Sequence, residues 1–197
     1  MEYSYETFDD ELKNKISFRR VDFNGDAELL HQWMNEEHVI PYWKLNGPKE
    51  QYDQHLLSAL QDEHQKLYIG SLNDRAVSYW ESYWVKGDVV EEVYEADPYD
   101  QGVHLLIGEK DCLGKGYSLS MIKAMVRYQF HEPNTAKVIA EPDIRNKKMI
   151  HVFEKCGFNP VHPVTLPDKT ALLMFCDRNE FHRRWKYEDK HWLQTHL

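Results

Sequence analysis

The residues best placed to do chemistry lie in His104-Leu-Leu-Ile-Gly-Glu-Lys-Asp-Cys-Leu-Gly-Lys-Gly-Tyr117. An apolar run, a glycine-bearing turn and an amphipathic pattern over residues 118–131 spell a strand, a tight loop and a helix start. Free N–H groups at a helix start, together with the positive end of its dipole, favour a phosphate. The stretch therefore reads as a diphosphate cradle or, more plainly, as a glycine-rich joint between strand and helix. Five residues separate Gly108 from Gly114-Lys115, and Gly116 follows. A Walker loop needs four residues there and then Ser or Thr, so a nucleotide hydrolase is disfavoured. The dinucleotide pattern Gly-x-Gly-x-x-Gly is absent as well.

His104 opens the stretch, and imidazole is basic near neutral pH, so it is a candidate general base or else a structural histidine on an apolar strand. Cys112 has no base near it in sequence and suits a small buried position better than a nucleophile. Glu81 stands inside the aromatic run Tyr79-Trp-Glu-Ser-Tyr-Trp84. Burial there without a partner costs free energy, so Glu81 must be solvated, paired or facing a ligand.

These groups need elements to hold them. At 197 residues the chain suits one domain with a full core. Residues 1–15 are polar and acidic and read as a loose N-terminal arm. Period-two alternation marks a half-buried strand over 16–23, closed by Asn24-Gly25, and Asp26 then caps a helix to about residue 35. Residues 38–48 combine aromatics with two prolines and read as an ordered loop, with Trp43 either a pocket lid or a cover for the core. A helix over 49–63 precedes strands over 66–69 and 76–85, which turn at Asn73-Asp74. The second strand puts Val77, Tyr79, Glu81 and Tyr83 on one face, with Ser78, Trp80, Ser82 and Trp84 on the other. Beyond the cradle helix come a strand over 137–141, a helix with Met149, Ile150, Phe153 and Cys156 on one face and Gly157 as its cap, and a strand pair over 158–164 and 170–176. The tail from Asp177 reads as helical over its first turns. No internal repeat or low-complexity tract divides the chain.

The net charge of −9 argues against a nucleic-acid partner and suits a cationic substrate. Six acidic residues between Asp88 and Asp100, with no Lys or Arg, form a solvated loop or draw in an amine. Aromatics make up 13% of the chain, six of them Trp, and imply an aromatic-lined pocket. Three cysteines without paired spacing, no signal peptide and no long apolar segment point to a cytoplasmic protein with reduced thiols.

This order of elements resembles the GNAT acyltransferase superfamily, which uses coenzyme A thioesters. Leu113-Gly-Lys-Gly116 resembles that family's Arg/Gln-x-x-Gly-x-Gly/Ala loop. Asn146-Lys-Lys-Met-Ile-His-Val-Phe-Glu-Lys-Cys-Gly-Phe158 is similar to its Asn-x-x-Ala-x-x-x-Tyr-x-x-x-Gly-Phe helix. More narrowly, Tyr79-Trp-Glu-Ser-Tyr-Trp84, Asp97-Pro-Tyr-Asp-Gln-Gly-Val-His-Leu-Leu-Ile-Gly108, Glu141-Pro-Asp143 and Lys169-Thr-Ala-Leu-Leu-Met174 resemble the siderophore-biosynthesis branch, over roughly residues 16–182. Aminoglycoside acetyltransferases resemble the cradle and the final third, and the other segments less well.

The resemblance implies an α/β (α+β) single-domain GNAT fold over residues 16–197, with a mixed central sheet of about seven strands. It implies acetyl-coenzyme A as co-substrate, no metal, and a small-molecule amine or hydroxylamine as acceptor, with no membrane or nucleic-acid partner, in a monomer or homodimer. Acetylation of N-hydroxylysine, N-hydroxyputrescine or a similar diamine to a hydroxamate is the implied reaction; acetylation of an aminoglycoside or other amine, or mere acyl-coenzyme A binding, are the alternatives. Coenzyme A falls to Leu106, Ile107, Gly108, Cys112, Leu113, Gly114, Lys115, Gly116, Tyr117, Asn146, Met149 and Phe153, and the acceptor to Trp43, Trp80, Glu81 and Tyr83. His104 becomes the base, opposite Asp143, which orients it, holds the acceptor or simply caps a helix; Asn146 contacts coenzyme A or stabilises its helix start. Two positions depart from the family: Asp111 stands at the Arg/Gln position and should face solvent or cap the next helix, and Phe153 replaces a Tyr, leaving the thiolate's proton donor open.

Overall fold

The computed structural model describes residues 2–186. Eight strands form one sheet in the order β1-β2-β3-β4-β5-β6-β8-β7. They are β1 (Tyr5–Asp9), β2 (Asn14–Arg20), β3 (Gln65–Leu72), β4 (Arg75–Trp84), β5 (Gln101–Ile107), β6 (Lys137–Ala140), β7 (Asn159–Thr165) and β8 (Thr170–Asp177). The helices are α1 (Phe23–Met34), α2 (Ile40–Trp43), α3 (Lys49–Gln61), α4 (Tyr117–Gln129), α5 (Lys147–Cys156) and α6 (Arg178–Trp185). The helical start of the tail is thus α6, and residues beyond 186 lie outside the described residues. None of the described helices is long and apolar enough to cross a membrane.

The eighth strand corrects the expected arm. Tyr5 pairs with Phe18 and Asp9 with Asn14 across an antiparallel hairpin. Tyr5 stacks on Tyr128 of α4 at 5.3 Å, and Asp9 accepts the N–H groups of Glu11 and Leu12 in the turn. The acidic composition hid a strand whose one apolar edge is supplied by aromatics. Helix α1 also starts earlier than expected. Asp22 caps it through the N–H of Gly25 at 2.8 Å, while Asp26 sits inside, buried, and pairs with Arg19 at 2.6 Å. Within residues 38–48 the chain makes one helical turn, α2, because Pro41 falls in a first turn, where its missing N–H is harmless.

Side-chain alternation splits the core between the two faces of the sheet. Val103, Leu105 and Ile107 of β5 pack with Phe18, Trp80 and the helices α4 and α5, whereas Leu106 packs with Tyr79, Leu30 and Leu56 under α1 and α3. Helices thus cover both faces, and Leu30, Ile69, Trp80 and Met121 are fully enclosed. The outer strand β7 carries Pro160 and Pro163 on an exposed edge. The site depends on one irregularity. β5 and β6 run parallel but pair only at Gln101↔Val138 and Gly102↔Ile139, then part. From His104 onward one edge of β5 is left open, and a cleft of about 1120 Å³ lies along it.

Candidate active site

Cross-strand register sets the apex of the cleft. β4 and β5 pair Glu81 with His104, so both side chains leave the same face as near neighbours. His104 Nδ1 lies 2.8 Å from Glu81 Oε2, and its Nε2 is hydrogen-bonded to Glu141 Oε1, one residue past β6. Each carboxylate has further support. The Tyr79 hydroxyl donates to Glu81 at 2.9 Å, the Tyr83 hydroxyl donates to Glu141 at 2.8 Å, and Lys169 Nζ stands 3.9 Å from Glu141. The Tyr83 ring lies 4.9 Å from the imidazole.

Burial alone would lower the pKa of His104, but the charge and hydrogen bond of Glu141, with the bond to Glu81, raise it to about 10. Burial would likewise raise Glu141, yet His104, Lys169 and Tyr83 bring it down to about 2. Glu81 is also held below its ordinary range, His104 outweighing its burial. Geometry and charge together favour the imidazolium form, in which both ring N–H groups are spent on carboxylates.

The carboxylate opposite His104 is Glu141, and this corrects the pairing with Asp143. Asp143 instead binds Arg145, through Nε at 2.9 Å and a terminal nitrogen at 2.6 Å, and accepts the Arg145 backbone N–H. Arg145 holds its pKa at about 2. The chain leaves β6 at Ala140 and turns, so Asp143 forms a bridge to Ala171 rather than continuing the strand. Both acids line the cleft, and from Glu141-Pro-Asp143 alone either fits the role.

Among the expected acceptor residues, Trp43 and Glu81 line the cleft, with the Trp43 ring 6.5 Å from His104. Trp80 does not: it points to the opposite face, bonds Ser78 and packs on Phe18 at 5.3 Å. The alternation in β4 that brings Glu81 to the site sends Trp80 away from it. Tyr83 is 3% exposed and stands behind Glu141, so it supports the site instead of lining it.

Of the expected coenzyme A residues, Leu106, Ile107, Leu113, Gly114, Asn146, Met149 and Phe153 line the cleft. Gly108 does not. A Cβ there would come within 2.1 Å of Trp33, so the glycine admits a close-packed indole. Cys112 is buried beside Asp111, with its thiol pushed up by burial, and also falls outside the lining. Lys115, Gly116 and Tyr117 form the turn into α4. Gly114 and Gly116 take φ of 72° and 84° with open space where a Cβ would stand, and α4 begins without a side-chain cap. Asn146 faces the cleft and also caps α5 through the N–H of Met149 at 3.2 Å. Asp111 faces solvent, the first of its two expected roles, and there binds Arg75 at 2.7 Å instead of capping α4.

His38 was not legible as a site residue. Its Nε2–H donates to the Ile107 carbonyl at 2.7 Å, tying the segment between α1 and α2 to the open edge of β5. The Gly108 N–H bonds Val77 in β4, so by alternation Val103, Leu105 and Ile107 turn their backbone groups to the cleft. Lys44, just after α2, bridges to the Asp168 carbonyl in the β7–β8 turn at 2.6 Å and closes the far side.

Against known families, residues 22–166 match the model of the acetyltransferase (GNAT) domain. The chain belongs to the GNAT acetyltransferase family. It is 31% identical, over 90% of its length, to an N(6)-hydroxylysine O-acetyltransferase of Escherichia coli, of which it spans 56%. It is 32% identical to an N-hydroxyputrescine acetyltransferase of Acinetobacter baumannii, covering 88% of this chain and 83% of that one. Among solved structures, an uncharacterized protein from Bacillus halodurans superposes with a TM-score of 0.91 at 52% identity, covering 92% and 94% of the two chains. The aminoglycoside acetyltransferase AAC(6')-Ib, in complex with coenzyme A, superposes at 0.78 with 31% identity, covering 85% and 98%.

The co-substrate of this GNAT domain is a coenzyme A thioester, and the cleft fits one. The uncapped start of α4 and the open Gly114-Lys115-Gly116 turn suit a diphosphate. Apolar side chains of β5 and α5 wall the cleft between that turn and His104.

Proposed function

We propose that the protein acetylates the nitrogen of an N-hydroxylated amine, such as N-hydroxylysine, N-hydroxyputrescine or a similar diamine, to a hydroxamate in siderophore biosynthesis in the cytoplasm. The observation that carries this reading is the Glu81–His104–Glu141 cluster at the apex of a coenzyme A cleft. Its ring nitrogens are both committed to carboxylates, an arrangement poorly suited to stripping a proton from an alkylammonium. A hydroxylamine is largely neutral near neutral pH and arrives with its lone pair free. The hydroxylysine and hydroxyputrescine acetyltransferases among the relatives support the same class of acceptor.

The bound thioester supplies the acyl group. The α4 start and the Gly114–Gly116 turn hold its diphosphate, and the cleft-facing N–H groups of Leu105 and Ile107 offer donors to the carbonyl oxygen. Trp43 and Glu81 place the acceptor beside His104, and fixing both partners is itself a large part of the rate. A thiol-release assay with acetyl-coenzyme A against N-hydroxylysine, N-hydroxyornithine, N-hydroxyputrescine and N-hydroxycadaverine tests this. Release with none of them, at saturating concentrations, defeats it.

A second reading is acetylation of an aminoglycoside. It is favoured by the structural likeness to AAC(6')-Ib. Turnover of kanamycin, with hydroxylamines refused, would establish it.

A further inference from the structure

We propose that Glu81 takes the proton of the acceptor nitrogen, while His104, both of its N–H groups spent on Glu81 and Glu141, works as a fixed imidazolium that restricts the site to nitrogens arriving uncharged. This rests on the N-acetylation reading above.

A ring nitrogen facing a carboxylate must carry a proton, because a lone pair turned toward an anion is repelled. His104 faces a carboxylate on both sides, at Nδ1 and at Nε2. The two acids differ in access. Glu141 has 1% of its side chain exposed, shut in by Tyr83 and Lys169, whereas Glu81 has 13% exposed and lines the cleft. Both Glu81 oxygens already accept a bond, from His104 and from Tyr79, yet each keeps a second lone pair. From α3, His55 and Tyr52 are the titratable neighbours whose charges act on Glu81 or feel it. The exposed third of the His104 side chain faces this same space, under Trp43.

A carboxylate held by an imidazolium is a weak base, and that sets the selectivity. It can take a proton from a nitrogen already bonded to an acyl carbon, whose N–H is strongly acidic. It cannot deprotonate a free alkylammonium to any useful extent. In the balanced step the acceptor nitrogen gains a bond to the acyl carbon and gives one proton to Glu81. The C–S electron pair leaves with sulfur, which is protonated from water, and Glu81 returns its proton to water.

The test begins with the ¹⁵N shifts of the His104 ring in the labelled full chain, with and without coenzyme A. Both nitrogens are expected in the protonated range from about pH 6.5 to 8.5, where an unperturbed histidine would titrate. One unprotonated ring nitrogen in that range overturns the proposal. Glu81→Gln is then expected to lower kcat for N-hydroxyputrescine at least about tenfold while the Kd for acetyl-coenzyme A stays within about twofold, and Glu81→Asp to recover part of the loss. Retention of kcat within about threefold in Glu81→Gln overturns the assignment of the proton acceptor. Acetylation of alkylamines with hydroxylamines refused overturns the selectivity and the substrate reading together. Complete inactivity of a wild-type enzyme whose ring carries both protons removes the substrate reading and upholds the imidazolium.

Discussion

The Tyr83 hydroxyl donates a 2.8 Å hydrogen bond to Glu141, on the side of the carboxylate away from His104. A buried phenol thereby holds the acid that holds the imidazolium. Tyr83→Phe removes one buried hydrogen bond, with an expected cost of about 1 kcal/mol in denaturant unfolding. It should also lower kcat several-fold with the KM for acetyl-coenzyme A unchanged. A kcat equal to wild type would show that Glu141 needs no such support.

Glu141→Gln and Asp143→Asn separate the two acids. The first leaves His104 with a neutral partner and is expected to cut kcat by about 10²-fold, the scale of a site group let out of position. The second releases Arg145 at the cleft rim and should act mainly on the acceptor KM. Steady-state kinetics on both variants decides, and the opposite ranking would restore Asp143 as the partner of His104.

The pair also gives stability a pH signature. His104 has its folded pKa raised from 6.5 to about 10, so its contribution is full below 6.5 and is lost as pH climbs through 10. Glu141 has its folded pKa lowered from 4.5 to about 2, so its contribution is full above 4.5 and is lost as pH falls through 2. Unfolding followed from pH 4 to 10 should show a stability decline on the alkaline side that flattens in His104→Gln. An unchanged alkaline limb in that variant would assign the decline to other groups.

Trp43 and Trp80 should behave oppositely. Trp80→Ala empties a fully buried site and is expected to cost about 3–5 kcal/mol. Trp43→Ala, at a half-buried ring that also packs on Tyr79, should cost less stability than Trp80→Ala and raise the acceptor KM about tenfold, by loss of aromatic contact in the cleft. Thermal melts paired with kinetics check both.

Much of this arrangement was legible because local rules and tertiary ones agree. The Gly114–Gly116 turn and the Glu81 face of β4 each follow from spacing, and each lies where spacing puts it; Asn146, which the family resemblance placed at a helix start, caps α5. What escaped was non-local. Nothing near His38 signals that it reaches Ile107, and nothing in Glu141-Pro-Asp143 says which acid the chain turns toward the imidazole. β1 was missed because its own stretch is acidic and the ring that Tyr5 stacks on, Tyr128, comes from far along the chain.

The prolines of β7 bear on assembly. Pro160 and Pro163 remove two donors from the outer strand of the sheet, which blunts that edge against pairing. At the opposite edge, β1 has no proline and exposes Phe8. A second copy that continued the sheet would therefore meet less resistance at β1 than at β7.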